Sequence, residues 1–190
     1  MKSIAYHMLD IVHNALRAKA TVVDIALIED DHSDLLRLQV SDNGSGMDGA
    51  TLQRAIDPYY TSRKTRHVGL GLSLLKQNCE RTDGRMRIHS RPGAGTTVRA
   101  DFVKSHLDLP AIGDMPGTLY QIIVGNPDRD FIYHHRINTV GFDLDTRHIR
   151  EALEEWPLDH PRIKGDIREL IGCCFDQMIQ DSGGSVIEHP

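Results

Sequence analysis

The chain has 190 residues, of which 39% are apolar and 26% charged, with a formal net charge of −5. That balance excludes a fibrous or wholly disordered chain, and no apolar run approaches the roughly 18 residues of a spanning helix, so no membrane is expected. The charge is uneven: residues 1–103 hold 14 basic and 12 acidic residues and residues 104–190 hold 8 and 15, which marks a candidate boundary near 103 and argues against a nucleic-acid partner.

Ile4, Met8, Ile11, Val12, Ala15 and Leu16 recur at spacings of three and four, the period of an amphipathic helix. Two strands follow, from Val22 to Leu27, rich in β-branched residues, and from Leu35 to Val40, which alternates. Asp42 to Met47 (DNGSGM) is a turn-rich loop, and Asp48 caps a short helix to about Ile56. Residues 57–70 show no period and read as a loop. Leu72, Leu74, Leu75 and Cys79 place a helix that ends before Gly84, and Met86–Ser90 and Thr96–Val103 form two strands around a tight RPGAG turn. After a connection containing LDLPAIGDMPG, Thr118–Val124 and Phe131–Val140 read as a hairpin around Gly125–Asp130. Asp145 or Thr146 caps a helix to about Glu155, and Pro161 opens a last helix to about Ile179.

Four features carrying chemistry stand in order within about ninety residues. Asp10, Asn14 and Arg17 share one face of the first helix. A strand then ends in Asp42, with Gly44, Gly46 and Met47 just after it. Next come a loop with Arg63 and Lys64 and the run Gly69, Leu70, Gly71, Leu72 opening a helix. Thr96 closes the set, in a Gly-Ala-Gly-Thr-Thr segment between two strands. Physically this order suits a nucleoside triphosphate. Asp42 can accept from an exocyclic amine, and glycines let a backbone approach a base closely. A helix start offers unpaired N–H groups to phosphate, Asn14 offers an oxygen of the kind Mg²⁺ takes, and Arg17, Arg63 and Lys64 offset phosphate charge.

The set resembles the boxes of the GHKL family, the ATPases that include DNA gyrase, heat-shock chaperones, histidine kinases and mismatch-repair proteins. DIVHNALRAKATVVDIAL resembles the N-box helix and its strand, DNGSGM the first glycine box, and PYYTSRKTRHVGLGLSLL the F-box, lid and second glycine box of the kinase branch. GAGTTVRADF resembles the last glycine box, and the match covers about residues 4–103. The resemblance implies a Bergerat-type α+β sandwich, a mixed sheet with helices on one face, over residues 1–103, and the elements read after it make 104–190 a small α+β extension. It implies ATP and Mg²⁺ as ligands. Asn14 matches the metal-holding asparagine, Asp42 the adenine-reading aspartate and Thr96 its helper. Asp10 stands where hydrolysing members place a glutamate base, one methylene shorter. No H-E-x-x-x-P pattern appears and only nine residues precede Asp10, so a phosphoacceptor is expected on a separate protein. The leading expectation is phosphotransfer to that partner. The alternative is a slow ATPase or nucleotide sensor whose lid closure controls a partner interaction.

Other residues read more plainly. His134 and His135 in one strand point to opposite faces, a poor metal pair. Cys173 and Cys174 diverge by about 100° on a helix, which puts one in the core and the other partly exposed. Three cysteines with two adjacent make no disulfide framework, so the cytoplasm is expected.

Overall fold

The Ser3 hydroxyl accepts from the Tyr6 N–H at 3.2 Å, which satisfies one of the donors a helix start leaves unpaired. The helix it opens, α1 (Ile4–Arg17), buries Ile4, Met8, Ile11, Val12 and Ala15 on one face. The computed structural model describes residues 3–56, 71–153 and 156–183. Along them follow β1 (Val22–Asp30), β2 (Leu35–Asp42), α2 (Gly49–Ala55), α3 (Gly71–Arg81), β3 (Arg85–Arg91), β4 (Gly95–Val103), α4 (Met115–Gly125), β5 (Asp130–Ile137), β6 (Val140–Asp145), α5 (Thr146–Leu153) and α6 (Pro161–Asp181).

The strands form one sheet in the order β3-β4-β2-β1-β5-β6. β1 pairs with β5 in parallel, and every other neighbouring pair is antiparallel. β4 and β5 therefore run the same way, and α4 between them makes the crossover that parallel strands need. Alternation sends Val23, Ile25 and Leu27 of β1, Leu36, Leu38 and Val40 of β2, Val98, Ala100 and Phe102 of β4, and Phe131 and Tyr133 of β5 to one face, where all are buried. Each Val, Ile, Leu or Phe among them stabilises the fold by about 1.5–3 kcal/mol. α1, α3, α4 and α6 pack against that layer, as the expected two-layer sandwich requires. The other face stays polar, with Arg37 bonded to Asp101 at 2.7 Å.

The stretch Thr118–Val124 corrects the hairpin expectation. It lies in helix α4, not in a strand, and Gly125–Asp130 joins that helix to β5. The hairpin instead joins β5 to β6, with Asn138 at the turn at a φ of 54°. Ile122, Ile123 and Val124 are all β-branched, which favours a strand locally. Asp114 caps the helix by accepting from the Gly117 N–H at 2.8 Å. Leu119, Ile122 and Ile123 are buried at helical spacing. α4 packs against both α1 and α6, so apolar residues suit most of its circumference and its period is smeared. The cysteine expectation also fails: Cys173 is exposed and Cys174 half-buried, so neither is core. Ile171, Phe175 and Met178 of α6 supply the buried face instead. His135 is buried and its neighbour His134 is not, as alternation requires.

Candidate nucleotide site

Asp42 ends β2 between Val23 of β1 and Thr96 of β4. Its Oδ1 accepts from the Gly44 N–H at 2.8 Å, and the chain then doubles back over the end of α1. The Ser45 N–H donates to the Ala18 carbonyl at 2.8 Å, and the Gly93 N–H donates to the Ser45 carbonyl at 2.7 Å. This threading explains two glycines. Gly46 sits at a φ of +62°, and a Cβ there would lie 1.9 Å from the Arg91 carbonyl oxygen. Gly95 sits at +87°, with only 1.8 Å to the Asp42 carbonyl oxygen. No side chain fits either position. The close approach these glycines permit is to the protein's own backbone.

α3 begins against α1. A Cβ on Gly71 would stand 3.0 Å from Asp10 Oδ2, so the start of α3 abuts that carboxylate. Asn78 and His7 tie the two helices together: the Asn78 amide donates to His7 Nε2 at 2.8 Å, and both side chains are buried. One turn past Asp10, Arg17 donates to Asn14 Oδ1 at 3.1 Å. Asn14 and Arg17 are exposed, whereas Asp10, Asp42 and Thr96 are half-buried. Burial raises the Asp42 carboxyl above its ordinary value, and backbone N–H groups of Gly44 and Thr96 only partly offset that. A desolvated carboxylate of this kind gains from an added donor.

The fold thus brings together Asp10, Asn14, Arg17, Asp42, Gly44, Gly46, Met47, Gly71 and Thr96, at one end of the sheet and along α1. Leu72 is buried and belongs to the core under α3. Arg63, Lys64, Gly69 and Leu70, with the whole expected loop 57–70, lie outside the described residues. Two further residues belong with the set and were not singled out in the sequence. Asn43 Oδ1 accepts from the N–H groups of Thr21 at 2.8 Å and Val22 at 3.0 Å, pinning the loop to β1. The Ser90 hydroxyl accepts from the Met47 N–H at 2.8 Å and stands 2.8 Å from Thr96 Oγ1. Pairing β3 with β4 around the RPGAG turn sets Ser90 opposite Thr96, so that register was the available signal.

The model of the histidine kinase-, DNA gyrase B- and HSP90-like ATPases matches residues 3–106, which is more than half of the chain. The chain belongs to this family. The relatives it matches include sensor kinases. Sensor protein kinase FleS of Pseudomonas aeruginosa is 42% identical over 89 residues, covering 47% of this chain and 22% of that protein. The non-motile and phage-resistance protein of Caulobacter vibrioides is 31% identical over 116 residues, covering 56% of this chain and 14% of its own length. The chain thus spans less than a quarter of either relative. Among solved structures, the N-terminal domain of a DNA repair protein superposes with a TM-score of 0.53 at 14% identity, covering 76% of this chain and 52% of that one. That likeness shows the shared fold. Family membership implies ATP as the nucleotide. No helix among the described residues is long and apolar enough to cross a membrane.

Proposed function

We propose that the chain binds Mg-ATP between α1, the Asp42–Met47 loop and the start of α3, and passes the γ-phosphate to a separate protein. The observation that carries this is the convergence on α1. Asp10 meets the start of α3, Asn14 and Arg17 stand on the next turn, and Ala18 anchors the loop that follows Asp42. In this reading Asp42 accepts from the adenine amine, with Thr96 beside it. Gly44, Gly46 and Met47 hold the loop shape, Gly71 and Leu72 open α3 towards the phosphates, and Gly69 and Leu70 belong to the same glycine box. Arg17, Arg63 and Lys64 offset phosphate charge. An exposed amide oxygen beside a carboxylate is the hard-oxygen set Mg²⁺ takes, so Asn14 would hold the ion once Arg17 turned away. Bound there, Mg²⁺ would neutralise triphosphate charge and orient the chain of phosphates.

Residues 1–103 are then the ATP-binding domain and 104–190 its extension, in a protein whose three cysteines suit a reducing cytoplasm. A second reading is favoured by the Asp10–Gly71 approach, because a carboxylate at that point can activate water and make the chain a slow ATPase. The test is nucleotide binding and phosphate release with purified protein. Asn14→Ala should weaken Mg-ATP more than metal-free ATP, and equal losses would remove the metal assignment. Phosphate release that disappears in Asp10→Asn would establish hydrolysis. Tight binding without release would direct the search to a phosphoacceptor.

A further inference from the structure

A cavity of 410 Å³ opens between α6, the segment 109–116 and the core face of β1, β2 and β5. It lies far from the nucleotide site. Leu36 lines it, and Asp42 is six residues further along β2, about 20 Å at the rise of a strand. Most of the wall is apolar, including Met115, Phe175 and Met178. Three polar side chains of its lining lie together, with Glu29 between Lys104 at 3.1 Å and His135 at 3.7 Å. A roomy apolar cavity with a few convergent polar groups is the common form of a small-molecule site.

His135 is the informative group. It is only 3% exposed, and its Nε2 has no hydrogen-bond partner among the described residues. The nearest acceptor, Glu29 Oε1, stands 3.7 Å away, beyond bonding distance. On the other side of the ring the Tyr133 hydroxyl is 3.1 Å from Nδ1. That buried hydroxyl has no other hydrogen-bond partner among the described residues, so its proton is assigned to Nδ1 and the ring proton to Nε2. The cavity therefore presents one unused N–H donor beside one carboxylate acceptor. Lys104 is already engaged by Glu29 at 3.1 Å and Asp31 at 2.6 Å, and Asp176 adds a further carboxylate to the lining. An anionic head would meet net negative charge, and a cationic head would meet the Nε2 proton. A neutral group that both accepts and donates satisfies both partners.

We propose that this cavity binds a small uncharged amphipathic molecule, whose hydroxyl or primary amide head bridges His135 Nε2 and the Glu29 carboxylate while its apolar body fills the space under α6. Leaving a buried donor unpaired is costly, and the head supplies the missing acceptor.

The test titrates the full chain with hexanamide, hexanoate and hexylammonium, following the methyl carbons of its methionines by NMR. Hexanamide should shift Met115 and Met178 saturably while Met8 stays in place, and hexanoate and hexylammonium should bind more weakly. His135→Phe, which keeps the ring and removes the donor, should weaken hexanamide roughly tenfold. Ala111→Phe fills the mouth from an exposed position and should abolish saturation with the Met8 signal intact. Shifts that never saturate, tighter binding of either charged probe, or unchanged binding in Ala111→Phe would overturn the proposal. None of these readouts depends on ATP.

Discussion

Asp42 shows how function and stability oppose each other at a single residue. Its raised carboxyl means the folded state holds that proton more tightly than the unfolded chain does. The ionised form therefore costs stability above the folded pKa, and the cost fades as pH falls towards 3.8, the ordinary value. Asp42→Asn keeps the oxygen that accepts from Gly44 and removes the desolvated charge. It should raise the melting temperature at neutral pH while lowering nucleotide affinity about 10- to 100-fold, as paired calorimetric and binding measurements would show. Wild-type affinity should fall on acidification at a pH above the usual aspartate range. Glu29 behaves oppositely. Burial works against its ionisation, yet His135 and Lys104 hold it below its ordinary value. Its contribution is present above 4.5 and is lost as pH falls through the lowered pKa. Lys104→Met would leave that carboxylate without its cation and should cost about 1–3 kcal/mol at neutral pH. Denaturant unfolding at neutral and acid pH should show most of that loss vanish once Glu29 is protonated.

Among the elements, α4 marks the limit of local reading. Its seven residues from Thr118 to Val124 favour a strand by composition, and the packing of α1 and α6 around them makes a helix. Asp114→Ala tests this directly. A capped helix should lose about 1 kcal/mol on thermal unfolding, whereas a residue in a plain connection should lose nothing. α1 and α3 were legible from their apolar period, and α2 and α6 from their starts: Asp48 accepts from the Thr51 N–H at 2.7 Å, and His160 with Pro161 opens α6. Strand ends moved outward by a few residues, because ladder pairing extends strands past the point where alternation is visible. β6 escaped detection although VGFDLD alternates, because it is short and the run Phe131–Val140 reads as one strand through the turn at Asn138.

At the scale of the whole molecule, the composition shift near residue 103 does not coincide with a break in the sheet. β5 pairs in parallel with β1 along eight residue pairs, from Val22↔Asp130 to Glu29↔Ile137. The backbone of Ala111 and Ile112 accepts from the N–H groups of Ile4 and Ala5 at 2.9 Å each. α4 and α6 supply Leu119, Ile122, Ile123, Ile171 and Phe175 to the same buried cluster as α1. A fragment ending at Val103 would expose the β1 edge and strip one side from α1. It should lose cooperative unfolding, and limited proteolysis of the full chain should release no folded product of that size.

The amino-acid order alone pointed to the family, through motifs in the order of its boxes, and to most elements. Those features are local, set by the period of apolar residues, by caps and by glycines at positions where no side chain fits. Only the tertiary structure decided that Thr118–Val124 is helical, that Cys173 and Cys174 both lie outside the core, and that Ser90 and Asn43 brace the Asp42 loop. It alone decided that Glu29, Lys104 and His135 meet at one cavity, since they come from β1, the end of β4 and β5. Such facts depend on which strand lies beside which and which helix covers which face. Contacts between residues about a hundred positions apart leave no trace in spacing, because their energy is realised only when the sheet has assembled.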